Sequence, residues 1–191
     1  MDYLILGFLT GLSLILAIGA QNIFVIEQGL KKQYIFIVCL ICSISDFLLI
    51  FLGIFLFQYL NHFFTPTIEL VFNILLLIFL LHFIWGKIKT KVSETSFDVD
   101  SKTNNLSNIV VKTLGFTFLN PHVYSDTVFF LGNFSKSLSQ VDKYYFGAGA
   151  AISSFLFFFI IGYLSKYFSK YLKSATVWKR INYLIILFMS I

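Results

Sequence analysis

Six long apolar runs constrain this chain more than any other feature. They lie at about 3–26, 34–57, 67–86, 114–134, 144–164 and 177–191. A helix needs roughly 20 mostly apolar residues to cross the hydrocarbon layer of a bilayer. Because backbone polar groups in lipid must be hydrogen-bonded within the protein, and because these runs are too long for barrel strands, each run predicts a helix. We therefore predict an all-α, polytopic integral membrane protein with six transmembrane helices.

The positive charges predict how these helices are oriented. Twelve of the fourteen Lys and Arg residues lie in the first, third and fifth connections. Connections rich in Lys and Arg usually face the cytoplasm, so both termini are predicted to lie outside. The net charge of +5 is thus explained by orientation in a membrane, and we expect contact with lipid rather than with nucleic acid.

A polar stretch divides this single membrane domain into two halves. Residues 87–112 carry Ser, Thr, Asn and charges of both signs, which is typical of a solvated cytoplasmic linker. Three helices precede it in 1–86 and three follow it in 113–191, and an odd number reverses the orientation of the second half. Two short echoes suggest a duplication: Ser45-Asp46-Phe47-Leu48 with Ser153-Ser154-Phe155-Leu156, and Gly7-Phe8 with Gly115-Phe116. We predict two inverted three-helix halves, a plan common among secondary transporters.

Two aspartates inside apolar runs are the strongest indication of function. A charged residue at the centre of a bilayer costs at least about 2.5 to 3.5 kcal/mol. Asp46 and Asp126 each lie twelve residues beyond the cytoplasmic start of a run, which places both roughly 18 Å deep. No Lys or Arg is predicted at that depth. Three interpretations are open: a cationic substrate, bound protons, or protonated acids hydrogen-bonded within the bundle.

The fourth run is interrupted by Asn120-Pro121-His122. Pro121 removes a backbone donor and biases Asn120 away from helical geometry, which leaves backbone groups available to a ligand. His122 lies four residues before Asp126, so the imidazole can pair or exchange protons with that carboxylate. A simple kink with mutually satisfied polar groups is the alternative.

The first run has its own polar interruption, Gly19-Ala20-Gln21-Asn22. Here we expect Gly19 to permit a bend or a close approach, and the amides of Gln21 and Asn22 to hold polar groups of a substrate. Broken helices in corresponding positions of two halves indicate a transporter binding site. The helix ends would bind the α-carboxylate and α-amino groups of an amino acid, and the aspartates its cationic side chain.

Two further patterns have simpler explanations. Cys39 and Cys42 have a spacing used in redox and metal sites, but on one apolar helix they indicate packing, with a membrane redox enzyme as the alternative. The small residues Gly7 and Gly11, and a cluster from Gly147 to Ser154, indicate close helix packing or a homo-oligomer interface. We find no nucleophile elbow, phosphate loop or zinc motif, and predict no enzyme, cofactor or metal site.

Over nearly its whole length the sequence resembles the LysE family of lysine and arginine exporters, and especially the arginine exporters. The resemblance rests on Gly19-Ala20-Gln21-Asn22 with Gln28-Gly29, Cys42-Ser43-Ile44-Ser45-Asp46, Phe118-Leu119-Asn120-Pro121-His122-Val123-Tyr124-Ser125-Asp126-Thr127, Gly147-Ala148-Gly149 and Trp178-Lys179-Arg180-Ile181-Asn182. It implies export of arginine or lysine across the bacterial inner membrane without ATP, driven by protons or the membrane potential. Alternatives are a carrier for a neutral amino acid or a metal cation, and a truncated homologue that does not transport.

The chain departs from the family pattern at two places. Family members usually carry proline within the first-helix motif, where this chain has Ala17 and Ala20, so we expect Gly19 alone to supply the break. The last run, 177–191, is about 22 Å long as a helix, which is short for a span, and it predicts a truncated sixth helix.

Overall fold

The computed structural model describes residues 2–16, 19–60 and 105–169, together with 65–67, 70, 71, 74, 75, 78 and 81. For 58–60 and 121 it describes the backbone alone. The elements are α1 (Asp2–Ile15), α2 (Ala20–Lys31), α3 (Ile35–Leu60), α4 (Leu106–Phe118), α5 (Pro121–Tyr124), a π segment (Ser125–Phe130), α6 (Leu131–Phe134), a 3₁₀ turn (Ser135–Ser137) and α7 (Gln140–Phe168). Within these residues there is no strand, which confirms the all-helical prediction for this part of the chain.

The helices match the apolar runs with two differences. Residues 35–57 of α3 and the whole of α7 are long and apolar enough to cross a membrane. The first run forms two helices, α1 and α2, which are bent by 81° and together have the length and composition of one span. Helix α4 begins eight residues before the predicted start of the fourth run, at Leu106.

Other predictions concern residues that the structure does not describe. The sixth run and most of the linker 87–112 lie outside the described residues, and so does Ala17. In the third run only isolated positions are described, and those from 66 to 81 are helical. The arrangement of six helices in two inverted halves therefore stays a prediction.

Small residues bring α1 and α7 into close contact. The backbone at Gly7 lies against the carbonyl of Phe146, and the backbone at Gly149 lies against the carbonyl of Leu4. Gly11 packs on Ala150 and Ser153, so contacts advance in the same direction on both helices. Helices α1 and α7 are therefore parallel, and the predicted small-residue packing is confirmed as contact within one chain.

Helix α3 is packed between α7 and the π segment. The thiol of Cys39 donates to the carbonyl of Phe158 at 3.2 Å, while Phe51 and Ile54 meet Gly147, so α3 and α7 are antiparallel. Gly53 lies against Val128, and Phe57 lies near Gly132, so α3 and the π segment run in the same direction. These relative directions agree with those predicted for runs one, two, four and five.

A buried apolar core and an apolar exterior are both present. The core under α2, α3, α4 and α7 consists of buried side chains that include Phe24, Val38, Phe116 and Phe158. On the outer faces many large apolar side chains are exposed, among them Phe47, Leu48, Phe155 and Leu156 at 44–56%. Such a surface suits a bilayer, because helices pair their backbone polar groups internally. The described helices are those of a membrane protein.

Candidate functional site

The break between α1 and α2 is held by Asn22. Its side-chain amide donates to the carbonyl of Ile15 at 3.1 Å, which satisfies a group that the end of α1 leaves unpaired. Gly19 precedes α2 with φ −104° and ψ 178°, an extended conformation that any residue adopts. Among the described residues, a Cβ at Gly19 would meet Asn120, at 3.7 Å. The role of Gly19 in the break stays a prediction.

The break between α4 and α5 is closed by local hydrogen bonds on both sides. The side-chain oxygen of Asn120 accepts from the backbone N–H of His122 at 3.1 Å, so Asn120 caps α5. Pro121 is the first residue of α5, a position where a backbone N–H is not needed. The hydroxyl of Tyr124 donates to the carbonyl of Phe118 at 2.9 Å across the break. The predicted interruption is confirmed, and its polar groups are largely satisfied from within.

Asp126 lies in a π segment that the sequence did not reveal. Residues Ser125–Phe130 have π geometry, and the N–H of Leu131 donates to the carbonyl of Asp126. Such wide turns occur frequently at functional sites. The backbone at Gly53 of α3 closely approaches Thr127 and Val128, so a glycine on a neighbouring helix accommodates the wider segment.

Both breaks, α3 and α7 meet at one cavity. Its volume is about 70 Å³, which leaves room for several water molecules at roughly 10–15 Å³ each. Seven of the eight predicted site residues line it: Gly19, Gln21, Asn22, Asp46, Asn120, His122 and Asp126. The eighth, Pro121, lies between two of them in the chain. The described lining residues include no lysine or arginine.

The two carboxylates differ in their surroundings. Asp46 is buried, its Oδ2 accepts from the Ser154 hydroxyl at 2.7 Å, and its Oδ1 has no hydrogen-bond partner. The amide nitrogen of Gln21 is also buried without a partner. Buried polar atoms are rarely left unbonded in folded proteins. An acceptor on α3 and a donor on α2 are therefore available to a ligand in the cavity.

Asp126 is the more accessible acid. It is half-buried, and His122 one turn earlier is exposed. No direct hydrogen bond or ion pair between these two described side chains is observed, so their predicted pairing stays a prediction. Both side chains line the cavity and can each contact a ligand there.

Sequence reasoning missed Ser154 and assigned Cys39 and Cys42 correctly. Ser154 was interpreted only as a small packing residue, although the echo of Ser153-Ser154 with Ser45-Asp46 places it opposite Asp46 in a duplicated plan. Both cysteines are buried free thiols, as expected for packing residues. Among the described residues no group of three or more His, Cys, Asp or Glu side chains could hold a metal ion.

Comparison with known proteins places this chain in a family. The sequence profile of the LysE type translocators matches residues 12–191. The chain belongs to the LysE type translocator family.

Individual relatives of this LysE type translocator carry a more specific name. The arginine exporter protein ArgO of Pectobacterium atrosepticum is 34% identical, over 94% of this chain and 88% of the relative. Proteins of the same name from Salmonella paratyphi A and Salmonella typhimurium are 32% identical, over 96% of this chain and 88% of each relative. No solved structure matches the chain. The resemblance inferred from the motifs is thus confirmed at the level of the family.

Proposed function

We propose that this LysE type translocator exports basic amino acids, with arginine as its principal cargo and lysine as a second. The observation that carries the proposal is a cavity at the centre of the described helices with two carboxylates, Asp46 and Asp126, and no lysine or arginine among its described lining residues. A cationic cargo supplies the missing positive charge, which lowers the cost of placing two acids in a bilayer. Relatives 32–34% identical over most of the chain are named arginine exporters, which supports the same cargo.

Polar groups around the acids fit the rest of an amino acid. The buried amide nitrogen of Gln21 has no hydrogen-bond partner and can donate to a carboxylate. Gln21 lies in the first turn of α2, where the exposed backbone donors also favour a negative group. The cargo's α-carboxylate would bind at this end of the cavity, and its cationic side chain between the two aspartates.

We propose that protons drive the export by competing with the cargo. Moving one positive charge outward against an inside-negative potential costs about 2.3 kcal/mol per 100 mV. A proton that returns on an aspartate cancels this charge movement. In an alternating-access cycle, arginine binds from the cytoplasm, leaves outside as a proton replaces it, and the protonated site returns.

The inverted-repeat architecture is part of the proposal, with 1–86 and 113–191 as its two halves and 87–112 as a cytoplasmic linker. We further propose that the protein lies in the bacterial inner membrane with both termini outside. The two echoed tetrapeptides support the inverted repeat. Ser45 and Ser153 are both buried, and so are Asp46 and Ser154. Phe47 and Phe155 are both exposed, and so are Leu48 and Leu156. The equivalent positions Asp46 and Ser154 also contact each other directly, as residues on a pseudo-two-fold axis would.

Efflux of labelled arginine and lysine from preloaded proteoliposomes tests the cargo. We expect the wild type to release both, and Asp126→Asn and Asp46→Asn to release neither. Asp142→Asn is the matched control. Asp142 lies in the first turn of α7, accepts a hydrogen bond from the Ser139 hydroxyl and does not line the cavity. An Asp126→Asn protein that exports arginine at the wild-type rate would overturn the assignment. Release of a neutral amino acid or a metal cation in place of arginine would identify a carrier for other cargo.

A further inference from the structure

Ser154 differs from five other hydroxyl residues in the described helices. Inside helices, serine and threonine hydroxyls commonly donate to a carbonyl one turn earlier. Thr113, Thr117, Thr127, Ser153 and Ser165 all do so here. Ser154 instead donates to a carboxylate on another helix, 108 residues away in the chain. Its hydroxyl is therefore committed to Asp46 rather than to its own helix.

This bond makes the two oxygens of Asp46 inequivalent. Oδ2 accepts from Ser154, and Oδ1 has no partner. Asp46 and Ser154 are 5% and 3% exposed, so water at the protein surface does not compete for the bond. A hydrogen bond to an ionised acceptor is roughly twice as strong as one between neutral groups. The bond therefore restrains the carboxylate and leaves one oxygen for a ligand.

We propose that Ser154 is a positioning residue, which holds the Asp46 carboxylate by Oδ2 so that Oδ1 is the oxygen that binds the cargo or the proton. The proposal rests on the proposed function for the identity of the cargo. The site residues predicted from the sequence all lie on the first, second and fourth apolar runs. The proposal adds a residue of α7 to the site.

Other titratable groups near Asp46 are few. Its own helix contributes the buried thiol of Cys42, while Asp126 and His122 belong to the π segment and α5 across the cavity. The described lining residues from α1, α2 and α7 are not titratable. Removal of the Ser154 hydroxyl therefore changes the hydrogen bonding of Asp46 without changing any charge in the cavity.

Without the Ser154 hydroxyl, the ionised Asp46 loses its 2.7 Å hydrogen bond from α7, while the protonated acid loses less. Asp46 should then hold its proton to a higher pH, by about one unit, which is the size expected for a hydrogen bond to a charged group. Arginine should bind more weakly at neutral pH, since a larger fraction of the acid is protonated.

Labelling of Asp46 by an apolar carbodiimide tests the proposal without any cargo, because a protonated carboxyl group gives its proton to the reagent and its oxygen then adds to the central carbon. We would follow the label by mass spectrometry across a pH series in the purified full chain. For Ser154→Ala the labelling should persist to a pH about one unit higher than in the wild type. Ser154→Thr keeps the hydroxyl and should restore the wild-type profile.

Ser153→Ala is the control, because Ser153 is an equally buried neighbour that bonds to the carbonyl of Ala150 in its own helix. It should leave the labelling profile unchanged. If Ser154→Ala gives the profile of Ser153→Ala, the positioning role is overturned. If the profile shifts as expected but the wild type exports no basic amino acid, the positioning role stands and the proposed cargo fails.

Discussion

The side-chain amide of Asn22 donates to the carbonyl of Ile15 at 3.1 Å, so the second helix of the bent first span holds the last turn of the first. The two residues are seven positions apart in the chain, and the bond spans the break between α1 and α2. Asn22 also lines the cavity. The same residue therefore shapes the site and stabilises the break.

Replacing Asn22 with Ala should destabilise the protein by about 1–2 kcal/mol, because the Ile15 carbonyl loses its partner in a part-buried place. Asn22→Asp should be no better, since a carboxylate has no N–H to donate. Thermal unfolding in detergent measures the loss. The exposed Asn133 gives a control, and a Tm for Asn22→Ala equal to that of Asn133→Ala would contradict this role.

Gly53 should tolerate no side chain. A Cβ there would lie 2.6 Å from the Cα of Val128 and 2.7 Å from the carbonyl oxygen of Thr127, both backbone atoms of the π segment. Gly53→Ala should cost about 1–3 kcal/mol and, by displacing the segment that carries Asp126, lower arginine efflux.

The comparison variant is Gly19→Ala, for which the nearest atom would be 3.7 Å away and the backbone already suits alanine. It should change the unfolding free energy by less than about 0.5 kcal/mol. Equal losses of stability in the two variants would show that the close approach at Gly53 is not what matters.

Tyr124 should stabilise the break in the fourth run through its hydroxyl. Tyr124→Phe removes the donor to the Phe118 carbonyl, with an expected loss of about 1 kcal/mol. Amide hydrogen exchange should become faster around the break. Tyr145→Phe removes a hydroxyl from an exposed tyrosine in α7 and should leave exchange as in the wild type. Unchanged exchange in both variants would refute the bracing role.

Lys31 forms an ion pair of 2.7 Å with Glu27, whose side chain is 1% exposed. Breaking the pair would leave the buried carboxylate of Glu27 without this cation, so Lys31→Gln should destabilise the protein by about 1–2 kcal/mol. The expected loss is smaller than for a fully buried ion pair because Lys31 is partly exposed to solvent. The neighbouring Lys32 is exposed, and Lys32→Gln should have little effect on Tm. A larger loss of Tm for Lys32→Gln than for Lys31→Gln would contradict the stabilising role of the ion pair.

A variant with both Cys39→Ala and Cys42→Ala should still export arginine. Both thiols are fully buried and free, so each loss should cost about 1 kcal/mol of packing. Efflux at a rate within a few-fold of the wild type is expected. Complete loss of function in a folded, inserted double variant would revive the redox alternative.

The apolar runs were sufficient to predict α3 and α7, because in a membrane the number of consecutive apolar residues nearly determines a spanning helix. Both breaks were also predictable, since Asn120-Pro121 and Gly19-Ala20-Gln21-Asn22 are polar sequences that interrupt such runs. The shared depth of Asp46 and Asp126, together with the two polar breaks, indicated residues of which seven line one cavity.

What the sequence left undetermined depends on contacts between distant residues. The bond of Ser154 to Asp46 requires the register between α3 and α7, which no local pattern contains. The bond from Asn22 to Ile15 spans the break in the first run, and no local pattern pairs these two residues. The wide turn at Ser125–Phe130 has no signal in its own residues, and the glycine that accommodates it lies in another helix.

The π segment also makes the number of residues in this stretch matter as much as their identity. A wide turn holds one more residue than an α turn, and one residue corresponds to about 100° of rotation in an α-helix. Deleting a single residue between Asp126 and Leu131 would therefore turn Asp126 by about that angle relative to α6, without altering any side chain that remains. The number of residues in this part of the chain therefore determines the direction in which the carboxylate of Asp126 faces. A homologue that is one residue shorter here would present a different surface to the cavity.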